Sequence, residues 1–164
     1  MKTLKTLILN DNPIGQLGAA LISKLTNLRE LNLTNTCMND KGVEYISKMA
    51  SLRDLQIGTN HMITKLGALY LSQMKNLQRL SVPATSINDQ GVEFLVNLDS
   101  LQYLDARGLP LSIRGLETLL EYKTKHNTIQ VEHIPIPPTI QFIPCCPITF
   151  FQYRFDEYNN YFDQ

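Results

Sequence analysis

The sequence is short of most features that announce a chemistry. Its 15 basic and 15 acidic residues cancel over 164 positions. The electrostatic footprint of a general nucleic-acid binder, or of a polybasic membrane-surface binder, is therefore missing. Three cysteines, two of them adjacent (Cys145 and Cys146), cannot build the disulfide framework of a small secreted protein. The opening Met1-Lys2-Thr3-Leu4 lacks the apolar core of a signal peptide, and no run approaches the roughly 18 apolar residues of a membrane helix. A cytoplasmic, reducing setting is the expectation. Phosphate-cradling glycine loops, G-x-G-x-x-G, H-E-x-x-H, paired C-x-x-C and EF-hand loops are all missing, so no cofactor, metal or catalytic group is assigned. Hydrophobic residues still make up 43% of the chain, enough for the core of one domain.

What the sequence does contain is a period. Leucines open a recurring phrase at Leu4, Leu28, Leu52, Leu77 and Leu101, in steps of 24, 24, 25 and 24 residues. Each phrase runs Leu-x-x-Leu-x-apolar, as in Leu28/Leu31/Leu33 and Leu77/Leu80/Val82. A small polar residue follows at Asn12, Thr36, Asn60 and Thr85, and Leu109 replaces it in the fifth phrase. Next come Ile14, Met38, Ile63, Ile87 and Leu111, each four residues before a glycine: Gly18, Gly42, Gly67, Gly91 and Gly115. The first half alternates at period two, as a short strand does. After each glycine, apolar residues fall at plus one, four and seven, as in Val43/Ile46/Met49, which is one face of a helix. Each unit thus reads strand, tight turn, short helix, return loop. The extra residue of the third unit falls near His61-Met62, inside the turn.

The phrase at 77–95, Leu-x-x-Leu-x-Val-x-x-Thr-x-Ile-x-Asp-x-Gly-Val-x-x-Leu, resembles the leucine-rich repeats with helical outer sides. Those are found in ribonuclease-inhibitor-like proteins and in the repeat regions of F-box proteins. The resemblance covers about residues 4–124. It implies an α/β solenoid, a fragment of a right-handed horseshoe with a parallel sheet on the concave side and short helices on the convex side. One unit cannot bury its leucines alone; stacked neighbours make one continuous core. Each fully buried leucine contributes about 1.5–3 kcal/mol. Asn12, Thr36, Asn60 and Thr85 are expected to bond backbone groups of the adjacent turn, and Leu109 to end that ladder. Asn39-Asp40 and Asn88-Asp89 precede repeat glycines and are expected to serve helix starts rather than calcium. Cys37 is expected to pack as a small apolar residue.

The repeat domain is expected over residues 1–134, with Thr128–Glu132 as a last strand. No amphipathic cap precedes the first unit. The cap is absent, a partner chain supplies it, or the chain is a piece of a longer array. Residues 135–164 form a proline- and aromatic-rich tail, holding five of the eight prolines and eight of the thirteen aromatics. It is expected to dock as a cap, to bind elsewhere, or to be disordered.

The resemblance implies a non-catalytic module that binds a protein, not nucleic acid or a membrane, with the concave sheet. Residues flanking the inward leucines point there. One column is Thr6, Glu30, Asp54, Arg79 and Tyr103; the next is Ile8, Asn32, Gln56, Ser81 and Asp105; a third is Asn10, Thr34, Gly58, Pro83 and Arg107. Of these, Glu30, Asn32, Asp54, Gln56, Arg79, Ser81, Tyr103, Asp105 and Arg107 are the expected contacts. Arg79, Tyr103 and Arg107 form the expected anchor, since tyrosine and arginine are favoured at protein interfaces. Alanine at any of the three is expected to weaken binding by about 1 kcal/mol or more and to leave the melting temperature nearly unchanged. A competing expectation, from the same resemblance, is the substrate-recognition part of a ubiquitin ligase. No F-box segment is legible before the first unit. A third reading, a thiol enzyme using Cys145 or Cys146 with His133, has neither a visible pocket nor an orienting group. The three histidines, His61, His126 and His133, share no predictable site.

Overall fold

The structure is a computed structural model that describes residues 3–125 and 130–132. Six three-residue strands lie in one parallel sheet in sequence order. They are β1 (Thr6–Ile8), β2 (Glu30–Asn32), β3 (Asp54–Gln56), β4 (Arg79–Ser81), β5 (Tyr103–Asp105) and β6 (Gln130–Glu132). Five helices alternate with them: α1 (Gly15–Ile22), α2 (Asp40–Ser47), α3 (Lys65–Leu71), α4 (Asp89–Leu95) and α5 (Ile113–Lys125). Each coil is one strand and one helix, and each helix packs on the next. Adjacent strands stand about 4.8 Å apart while packed helices need about 8–10 Å. That mismatch puts the strands on the inner, concave side.

The register follows the repeat. Leu7, Leu31, Leu55, Leu80, Leu104 and Val131 pair in one file. Leu31 through Leu104 are buried, together with the helix-face residues Val43, Ile46, Ala68, Leu71, Val92 and Leu95. In the first coil Leu4, Leu7, Leu9, Ile14 and Leu25 are only partly buried, whereas their equivalents in the second coil, Leu28, Leu31, Leu33, Met38 and Met49, are buried. Among the described residues the first coil has a neighbour on one side only. At the other end β6 adds to β5, with Tyr103 beside Gln130 and Asp105 beside Glu132. Residues 128 and 129 of the expected last strand, and the tail at 135–164, lie outside the described residues.

The turn after each strand explains two features of the repeat. Asp11, Asn35, Thr59, Ala84 and Gly108 occupy one register position and all have φ between +51° and +66°. That conformation aims the N–H groups of the first four along the solenoid, at the carbonyls of Thr34, Gly58, Pro83 and Arg107, at 2.7–2.9 Å. The inter-coil hydrogen bonding thus continues past the short strands. The repeat glycines have a different cause, since none of the five is left-handed. A Cβ on Gly67 would lie 2.7 Å from both Asp40 Oδ1 and Ile63 Cγ2, and one on Gly42 would lie 2.7 Å from Met38 Cγ. Helix, loop residue and preceding coil meet there too closely for a side chain.

The polar ladder bonds backbone groups as expected, but mostly within its own turn. Asn12 donates to Leu9 O and Asn10 O, Thr36 to Leu33 O and Thr85 to Val82 O, all within their own turn. Among the described residues Asn60 alone of the four bonds the backbone of a neighbouring coil, and Thr36 Oγ1 also donates to its Oδ1 at 3.5 Å. The Asn60 Oδ1 accepts from the N–H groups of Thr36 and Met38, both at 2.9 Å, and its Nδ2 donates to the carbonyls of Leu33, Ile57 and Gly58. The shorter threonine hydroxyls bond no backbone group of another coil. Capping is also divided differently. Asn39 and Asn88 cap their own helices through Gly42 N–H and Gly91 N–H. Asp40 instead serves the following coil, accepting from Thr64 N–H (2.7 Å), Thr64 Oγ1 (2.7 Å) and Gly67 N–H (2.8 Å). Asp89 accepts likewise from the Ser112 N–H and hydroxyl.

Cys37 corrects the expectation of apolar packing. It is exposed, with φ +55°. Thr36 and Met38 on either side turn inward, so Cys37 faces out. Pro13, His61, Ser86 and Pro110 hold the same register position, and none of them is buried.

Candidate protein-interaction face

The sheet face turned away from the helices carries three columns of side chains, set by strand alternation. Parallel pairing puts Thr6, Glu30, Asp54, Arg79 and Tyr103 side by side, and Ile8, Asn32, Gln56, Ser81 and Asp105 in the next file. Eight of the nine residues expected at this face are exposed or half-buried; Asp105, 3% exposed, is not.

Bonds across neighbouring coils organise the polar groups. Thr6 Oγ1 donates to Glu30 Oε2 at 3.0 Å. Arg79 Nε donates to Asp54 Oδ2 at 3.1 Å. The guanidinium of Arg79 lies over the Tyr103 ring, 4.5 Å from its centre, an arrangement that stabilises by about 0.5–1 kcal/mol at exposed sites. Arg107 grips the buried Asp105 with two donors, Nε and Nη2, both at 2.8 Å, and Ser81 Oγ donates to the same carboxylate at 3.1 Å. Burial opposes ionisation of Asp105, but the hydrogen bonds and charge of Arg107 outweigh it and hold the carboxyl below its ordinary range. Asp105 therefore positions Arg107 and offers little surface of its own to a partner.

Asp54, Gln56, Arg79, Leu80, Ser81, Tyr103, Asp105 and Arg107 line one shallow hollow of about 240 Å³ on this face. The structure thus brings together Asp54, Gln56, Arg79, Ser81, Tyr103, Asp105 and Arg107. Glu30 and Asn32 lie outside the hollow, one strand beyond Asp54 and Gln56. The Arg79–Tyr103 stack was open to inference, because Arg79 and Tyr103 hold equal positions in successive repeats. The burial of Asp105 was not, since its column is otherwise surface.

On the helix side, sequence reasoning missed a cluster about Tyr45. Lys41 and Lys48 both donate to Glu44, at 2.6 and 3.1 Å, and each ammonium lies 5.6 Å from the Tyr45 ring centre. The hydrogen bonds from Lys41 and then Lys48 hold the Glu44 carboxyl below its usual range. The spacings of three and four residues on one helix were the available signal.

Among the described residues no group of three or more His, Cys, Asp or Glu side chains gathers as a metal site would require. No described helix is long and apolar enough to cross a membrane.

Stacked strand–helix coils with one leucine spine and glycines in register define a leucine-rich repeat solenoid. Independently, residues 2–62 match the family model for the leucine rich repeat. The same register continues beyond that match through β4 and β5. No curated protein matches the chain.

Proposed function

We propose that this chain is a non-catalytic protein-interaction module and that it takes its partner on the concave sheet face, centred on the hollow between Asp54 and Arg107. One observation carries the reading: the Arg79 guanidinium is already stacked on Tyr103 and tied to Asp54. A long side chain held in place before binding loses less entropy when a partner arrives. Arginine and tyrosine are also the residue types that dominate interface energetics. The face has a backbone held rigid by the solenoid and side chains that differ from coil to coil, the combination that allows recognition.

The structure changes which variants test this. Arg107→Ala would leave the Asp105 carboxylate buried without its cation, so its effect on folding would be confused with binding. Arg79→Ala and Tyr103→Ala avoid that. Proteins captured from lysate by the wild-type chain should be lost by both variants, a fall in affinity of about tenfold or more each, with melting temperatures within about 2 °C of wild type. Capture undiminished by the two substitutions together would refute the assignment of this face. A ubiquitin-ligase adaptor among the captured proteins would select the degradation reading of the same module.

A further inference from the structure

Charge is arranged along the first column of the face in a definite order: Glu30 in the second coil, Asp54 in the third, Arg79 in the fourth, then the Tyr103 ring in the fifth. Glu30 is exposed and accepts a hydrogen bond from Thr6 Oγ1, and among the described residues it pairs with no cation. Its register neighbour is Asp54, so two carboxylates stand side by side, an unfavourable pairing across strands. The Asp54 carboxylate is drawn the other way by Arg79 Nε. Arg79 uses only Nε and its ring contact within the described residues, so its Nη groups are donors directed at no protein acceptor there. The result is an anionic end at Glu30 and a donor-rich cationic end at Arg79, two strand spacings apart, or about 10 Å.

We infer that the partner segment recognised by this face is dipolar, carrying a basic side chain that sits between Glu30 and Asp54 and an acidic side chain that meets the Nη groups of Arg79. This rests on the reading that the concave face is the binding face. A basic group at Glu30 removes the repulsion between the two carboxylates. A carboxylate at Arg79 forms charge-assisted hydrogen bonds of the strong class. An extended chain advances about 3.3 Å per residue, so the two charges lie about two to four residues apart. A segment of one sign satisfies one end and meets repulsion at the other, which makes the arrangement selective as well as attractive.

The test is selection of a displayed random twelve-residue peptide library on the full immobilised chain, with sequencing of the bound pool. Wild type should enrich peptides holding one Lys or Arg and one Asp or Glu two to four positions apart, at least fivefold over the starting pool. Glu30→Gln should abolish enrichment of the basic residue alone, and Arg79→Gln that of the acidic residue alone. Circular dichroism should show both variants folded. A pool enriched in one sign only, an uncharged apolar pool, a pool unchanged by both substitutions, or no bound pool at all would overturn the inference. Binding by the selected peptides to the Tyr103→Ala variant separates the two levels. Uncharged peptides lost by that variant leave the face standing and refute the dipole; peptides retained by it refute the face as well.

Discussion

Replacing Asn60 should be the most damaging single polar change in the core. The side chain is 1% exposed and links two coils. Its Oδ1 is the acceptor for the buried N–H groups of Thr36 and Met38. In Asn60→Thr the hydroxyl can still donate to Ile57 O, as Thr36 does to Leu33 O and Thr85 to Val82 O. It cannot reach the preceding coil, so the two N–H groups lose their acceptor. A buried donor left unsatisfied costs about 1–3 kcal/mol, so losing the acceptor of two of them puts Asn60→Thr at about 2–6 kcal/mol. Leu33 O and Gly58 O keep other donors, Thr36 Oγ1 and Asn35 N–H, and add little to the loss. Thr85→Ala is the internal reference. It removes one hydroxyl bond of 3.0 Å and should cost about 1 kcal/mol. Urea unfolding followed by circular dichroism measures both, and hydrogen exchange at the Thr36 and Met38 amides locates the effect. If Asn60→Thr costs no more than Thr85→Ala, or if those two amides exchange as slowly as in wild type, the bridge does not hold the coils together and the reasoning fails.

Three further outcomes follow from the same structure. Gly67→Ala should lower stability by about 1–3 kcal/mol, because its Cβ would press on Asp40 Oδ1 and Ile63 Cγ2, each 2.7 Å away; thermal unfolding checks it, and an unchanged midpoint would mean that the second coil yields freely. Thr59→Asn should stabilise by about 0.5–1 kcal/mol, since φ is +57° and a β-branched residue is strained there, while Asn35 already occupies the equivalent position; loss of stability would count against strain at this turn. Asp105 sets an acid limit: its folded pKa is lowered, so its contribution is complete above the unfolded value of about 4 and disappears as pH falls through the lower folded value. Asp105→Asn should accordingly flatten the dependence of unfolding free energy on pH below about 4, and an unaltered slope would show that Arg107 does not stabilise the carboxylate.

The helix-side cluster and the partly exposed leucines of the first coil have different causes. Lys41, Glu44, Tyr45 and Lys48 are close in sequence, and their association depends only on the helix Asp40–Ser47 and its C-cap, Lys48. The partial exposure of Leu4, Leu7 and Leu9, by contrast, cannot be read from the first phrase, which has the same leucines as the buried second one. Burial in a solenoid belongs to the neighbouring coil and not to the residue itself.

The 24-residue spacing alone determined the architecture, because a leucine spine, a two-residue alternation and a 3.6-residue face can coexist at that period only as stacked strand–helix coils. The alternation also determined which residues reach the concave face. Tertiary structure decided what those residues and the turn residues do. Asn60 and Thr85 share a position and a polarity, but only the longer side chain crosses to the preceding coil. Asp54 and Asp105 both lie on strands facing inward along the curve, yet one is half-buried and tied to Arg79, and the other is buried under Arg107. Side-chain reach, and the distance between one coil and the next, separate these pairs, and neither quantity is written in a repeat pattern.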